Sequence, residues 1–164
     1  MIKEKIPLAA KQLIGIQVST NNHDELDPTT SKIGPLVRHY WQENIAQHFK
    51  HRITPGITYA AYTAYESDAN GNYTYLIGEA VTSLESQDLQ QFTSCTLSAG
   101  DYQKFTTPQG PMPQIIINTW QNIWSLSAED LGGQRAFQTD FEIYDHRAQD
   151  PSQSVVDIYI GIQS

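Results

Sequence analysis

The chain has 164 residues, 39 % of them hydrophobic, with nine Tyr, five Phe and three Trp, enough apolar mass for one domain (1–164) with its own core. A formal net charge of −8 and a single short basic cluster at His48, Lys50, His51 and Arg52 argue against direct nucleic-acid binding; the acidity favours solubility and, at long range, cationic partners. No stretch approaches the ~18 apolar residues of a membrane span, Lys11 and Gln12 interrupt any signal-peptide core near the N-terminus, and the lone Cys95 fits a reducing cytoplasm, the expected location.

In chain order, KQLIGIQVST (11–20) reads as a first strand, and NNHDELDPTT (21–30) as a polar loop with several potential helix caps. Ile33, Leu36, Val37, Tyr40, Trp41, Ile45 and Phe49 then fall at three- and four-residue steps, which predicts a helix over about 32–50 with His48, Lys50 and His51 near its C-terminal end. ITYAAYTAYES (57–67) and YTYLIGEAV (73–81) are strands joined by DANGN, whose Asn70-Gly71 pair is a hairpin signal. Residues 92–98 and 101–107 are extended, with a bend at Gly100. Ile116, Ile117, Trp120, Ile123 and Trp124 predict a second helix over about 112–126, entered through Pro111 and Pro113. Strands at 136–145 and 155–162 close the chain.

The order is β-α-β-β, repeated. Trp41-Gln42 recurs as Trp120-Gln121 and Tyr65-Glu66 as Tyr144-Asp145, both at an offset of 79; Gly34-Pro35 recurs as Gly110-Pro111 at 76, and Ile77-Gly78 as Ile160-Gly161 at 83. These echoes predict an α+β fold made of two pseudo-twofold-related βαββ repeats, about 8–84 and 92–163. An antiparallel sheet would carry the helices, with a ligand cleft between the halves.

Several stretches resemble the GyrI-like, or bacterial transcription-activator effector-binding, domain family. SAGDYQKFTTPQG (98–110) is similar to the opening of that family's second half, and INTWQNIW (117–124) to its tryptophan-bearing helix. TDFEIYD (139–145) is similar to the strand that carries the family's ligand-binding glutamate. VVDIYIGI resembles its closing strand, with Gly161 where proline is common. The resemblance spans nearly the whole chain. It implies a duplicated βαββ fold whose central cleft binds small amphipathic molecules, often cationic and aromatic. Because the two repeats use the entire chain, a stand-alone ligand-binding module is expected, acting through a partner regulator or as a homodimer rather than on nucleic acid or membrane. Some relatives are hydrolases, so a general-base role for Glu142 stays open as an alternative.

Alternation along TDFEIYD puts Asp140, Glu142 and Tyr144 on one side and Phe141 and Ile143 on the other. If the helices cover Phe141 and Ile143, Glu142 faces the cleft or solvent. The 79-residue offset then adds Thr63 and Tyr65, and strand parity adds Tyr59. The resemblance also places Trp120 nearest the cleft. The expected ligand site is therefore Glu142, Tyr144, Tyr65, Trp120, Thr63 and Tyr59, with the carboxylate as counter-ion and the rings as walls. Trp41 and Trp124 are read as core.

Residues 112–128 carry no charged side chain, which leaves open a protein-interaction role for that helix. His48 and His51 lie one turn apart without a third ligand nearby, and there is no Gly-x-Ser-x-Gly elbow, no base for Cys95 and no phosphate-binding glycine loop. No metal, cofactor or catalytic residue is assigned.

Overall fold

A computed structural model describes residues 2–163. Eight strands form one antiparallel sheet: β1 (Ile2–Leu8), β2 (Lys11–Thr20), β3 (Thr58–Thr63), β4 (Tyr73–Val81), β5 (Thr93–Leu97), β6 (Gly100–Thr106), β7 (Arg135–Tyr144) and β8 (Asp157–Ile162). Their order is β1-β6-β8-β7-β3-β4-β2-β5. Exchanging the first four strands for the last four turns this order into its own reverse, so the arrangement is topologically twofold, with β3 and β7 paired at the centre.

The sheet curls upon itself. Only Ala9-Ala10 separate β1 from β2, and only Ser98-Ala99 separate β5 from β6. The register carries straight across both breaks, from Leu8 opposite Gly100 to Lys11 opposite Leu97. Two bent strands thereby join the ends of the sheet, and one sheet face becomes an inner face. Leu13, Tyr59, Ala61, Leu76, Leu97, Tyr102, Phe141 and Tyr159 fill it.

The outer face carries two helices side by side. Helix α2 (Ile33–Gln42), preceded by the four-residue α1 (Asn22–Glu25), lays Ile33, Leu36, Val37 and Tyr40 over β2 and β4. Helix α3 (Gln114–Ser125) sets Trp120 and Ile123 on Phe105, Ile158 and Ile160 of β6 and β8, and the short α4 (Ala128–Leu131) adds Leu131. Neither helix lies directly on the central pair. The outward side chains of β3 and β7 therefore rise into the seam between the helices, and Tyr62 packs against the cores on both sides of it.

Several elements depart from expectation. β1 has its charges at Lys3, Glu4 and Lys5, which hid a strand held on one side by β6. The first helix stops at Gln42, because Asn44 adopts the left-handed conformation (φ 46°) that asparagine tolerates. A 3-10 turn over Ile45–His48 then keeps Ile45 and Phe49 in the core, which preserved the helical spacing past the real end. The predicted tight turn at Asn70-Gly71 is a longer connection, and the left-handed residue there is Ala64 (φ 50°). Trp41 and Trp124, expected in the core, are 58 % and 45 % exposed.

Candidate functional site

The helices cover the Glu142 side of β7, the reverse of the expected side. Phe141 and Ile143 point inward with Tyr59 and Ala61, whereas Asp140, Glu142 and Tyr144 point into the seam. Independently of which side the helices cover, the expected partners on β3 are displaced by one residue of offset. Ala60 pairs with Ile77 and Asp140 with Ile160, so the two Ile-Gly hairpins align Ala60 with Asp140, 80 residues apart rather than 79. A slip of one residue exchanges the faces of a strand. Tyr62, not Thr63, is thus the counterpart of Glu142. Thr63 and Tyr59 lie on the opposite face from the carboxylate, across from Thr139 and Ile143. Tyr65, just past the end of β3, reaches the seam but meets Asp140 instead of Glu142.

Glu142 is 1 % exposed and receives three hydrogen bonds. The Tyr62 hydroxyl donates to Oε2 at 2.8 Å, the Trp120 indole N–H donates to the same oxygen at 2.7 Å, and the Tyr144 hydroxyl donates to Oε1 at 2.5 Å. Each donor comes from a different element. Tyr62 stands diagonally across on β3, Trp120 hangs down from α3, and Tyr144 follows Glu142 by two residues on its own strand. Around them Tyr62 makes edge contacts with Trp120 (5.0 Å between centroids) and Tyr75 (5.2 Å), and Trp124 lies 6.1 Å from Trp120 toward the exposed side of α3.

The charge balance separates Glu142 from its neighbours. Among the described residues four carboxylates are buried: Glu79, Asp140, Glu142 and Asp157. Arg52 reaches Glu79 at 3.4 Å, Arg135 reaches Asp140 at 2.7 Å and Arg147 reaches Asp157 at 2.6 Å. Among the described residues no cation reaches Glu142. Asp140 shows the contrast most directly, since it lies two residues away on the same face and also accepts from the Tyr65 hydroxyl (2.5 Å) and the Gly161 N–H (2.7 Å). Burial pushes the Glu142 carboxyl above the usual carboxylate range, against the opposing pull of Tyr144, Trp120 and Tyr62. The same burial, and the nearby Glu142 charge, push the hydroxyls of Tyr62, Tyr75 and Tyr144 well above 10, so all three remain protonated.

Sequence reasoning therefore found Glu142, Tyr144, Trp120 and Tyr65 in the seam. It missed Tyr62, Tyr75 and the Asp140–Arg135 pair. Parity already sets Asp140 on the Glu142 side, and would have found Tyr62 once the offset was corrected. Arg135 carried no such signal, because a bulge between Arg135 and Asp140 interrupts the β7–β8 register and brings the guanidinium back onto the carboxylate.

Among solved structures, the chain is similar to the Vibrio cholerae integron cassette protein VCH_CASS2, at 28 % identity and a TM-score of 0.75, over 98 % of this chain and 95 % of that one. SAV2435, solved bound to tetraphenylphosphonium, shares the fold at 16 % identity and a TM-score of 0.74, covering 100 % and 95 % of the two chains. A Bacillus subtilis (strain 168) protein described as the putative transcriptional regulator YobU is 30 % identical over 158 residues, 95 % of this chain and 94 % of its own length. The Cass2 family model, "Integron-associated effector binding protein", matches residues 7–162, and the chain belongs to that family within the GyrI-like effector-binding proteins.

Proposed function

We propose that this protein captures lipophilic aromatic cations in the seam between α2 and α3, with Glu142 as the counter-ion. The observation that carries this reading is the missing partner: of the four buried carboxylates, Glu142 alone lacks an arginine. A buried carboxylate held only by neutral donors leaves its charge uncompensated, and a cationic guest supplies the compensation. Tyr62, Tyr75, Tyr144 and Trp120 offer ring faces to the same guest, adding apolar contact and cation–π attraction.

Admission of a guest requires the rings that now enclose Glu142 to swing aside. Trp120 and the half-exposed Trp124 beside it form the outer part of that enclosure. The tetraphenylphosphonium complex of SAV2435 shows that a protein of this fold accepts such a cation, which supports the same class of ligand here.

Titration of the protein with tetraphenylphosphonium, read by tryptophan fluorescence, tests the proposal. Saturable quenching or enhancement is expected, with affinity at least tenfold lower for Glu142→Gln. Equal affinity of the two proteins, or no saturable response from the wild type, sinks it.

A further inference from the structure

The inner face of the curled sheet holds a cavity, on the far side of β7 from Glu142. Its volume is about 240 Å³, below the ~300–1,000 Å³ usual for drug-sized ligands and suited to a fragment-sized one. Leu8, Leu97, Ile143 and the stacked rings of Phe141 and Tyr159 (4.6 Å, 8° between planes) make an apolar wall, and Lys11 belongs to the lining. The cavity sits where the two bent strands close the sheet, at the Ala9-Ala10 and Ser98 breaks, so backbone curvature rather than a missing side chain creates it. Sheets closed in this way hold small ligands in their interior.

Lys11 brings the charge to a lining whose other polar side chains include Ser98 and Tyr102. Its ammonium donates to the Tyr59 hydroxyl at 3.0 Å and lies 5.3 Å from the centre of that ring. Among the described residues no carboxylate comes within ion-pair distance of it. The Tyr59 hydroxyl, behind the lining, accepts from Lys11 and fixes the ammonium beside the aromatic wall, with two N–H donors left over.

From this geometry we infer that the inner cavity is a second binding site, for a small amphipathic organic anion: an aromatic body lying along Phe141 and Tyr159, and one carboxylate held by Lys11. The site is independent of the Glu142 seam and selects the opposite charge.

A nitrogen-15 NMR titration with 4-ethylbenzoate, 4-ethylbenzamide and 4-ethylbenzylammonium tests the inference. The benzoate should produce saturable shifts at the amides of Ala9, Ala10, Ser98 and Tyr159 while the Trp120 indole N–H stays in place. Its affinity should exceed that of the neutral amide at least tenfold. Lys11→Met should abolish this preference and Lys11→Arg should keep it; Lys11 is partly exposed, and the wild-type ligand series decides the matter even if a variant fails to fold. Three ligands of equal affinity, no saturable shift at those amides, shifts centred on Trp120, or a preference that survives in Lys11→Met would each overturn the assignment.

Discussion

Arg135 holds Asp140 at 2.7 Å, while Glu142, two residues further along the same face of β7, is held by hydroxyls and an indole alone. One strand thus carries a structural carboxylate and an uncompensated one side by side. The difference lies in the bulge that returns Arg135 onto Asp140 and has no equivalent for Glu142.

Removal of Arg135 tests the structural half of that contrast. Arg135→Met leaves Asp140, which is fully buried, with only the Tyr65 hydroxyl and the Gly161 N–H. Breaking a buried ion pair from one side costs about 3–5 kcal/mol. Part of that loss should return in the double variant with Asp140→Asn, because the pair acts as a unit. Urea denaturation of the wild type, both single variants and the double variant measures the coupling. Strictly additive effects would show that the two side chains do not interact in solution.

The uncompensated half predicts an unusual pH dependence. The folded-state pKa of Glu142 is raised by burial, so the neutral form is the one the fold prefers. The stability that this preference contributes is fully present below the unfolded-state value near 4.5 and is lost as pH rises through the folded-state value. Within that window the loss approaches about 1.4 kcal/mol per pH unit. Glu142→Gln keeps an acceptor for Tyr62 and Trp120 and removes the charge. It should therefore match the wild type near pH 4.5 and exceed it in melting temperature at pH 7–8. A wild type that is the more stable of the two at pH 8 would mean that the three donors outweigh the burial cost.

The choice between Tyr62 and Tyr59 follows from register. Tyr62→Phe removes one of three donors to the Glu142 carboxylate, which should raise its pKa further and weaken cation binding at neutral pH, at a cost of about 1.5–3 kcal/mol for a lost bond to a charged group. Tyr59→Phe leaves the seam intact, because its hydroxyl meets only Lys11 on the inner face. Isothermal titration with tetraphenylphosphonium separates the two variants. If Tyr59→Phe weakens cation binding and Tyr62→Phe does not, the faces have been assigned the wrong way round.

That pair of tyrosines also marks how much could be read from the residues. Period and parity located both long helices, seven of the eight strands and Glu142, because each of these is written locally. The single-residue offset between β3 and β7 is not local. It depends on how β3 pairs with β4 and β7 with β8, and the recurrence of Tyr65-Glu66 as Tyr144-Asp145 pointed to the wrong register. The burial of Glu142 was equally hidden, since it comes from Trp120 on a helix 22 residues earlier in the chain and Tyr62 some 80 residues earlier. The exposure of Trp41 and Trp124 escaped for a related reason: helical spacing gives a face, but the seam between two helices on one sheet leaves part of that face uncovered.

Cation capture by a protonated carboxyl must expel its proton, and this supplies the most direct solution signature. Between about pH 4.5 and the raised pKa, free Glu142 is partly neutral, whereas a bound cation favours the ionised form. Affinity for tetraphenylphosphonium should therefore climb with pH across that window, by up to about tenfold per unit, and level off above it. Within the window, binding should release up to one proton per cation, seen as a dependence of the calorimetric heat on the ionisation enthalpy of the buffer. Tyr62, Tyr75 and Tyr144 stay protonated throughout and contribute nothing to this release. Glu142→Gln should bind weakly and with a heat independent of buffer. Proton release that persists in Glu142→Gln would assign the titrating group elsewhere and remove Glu142 from the role of counter-ion.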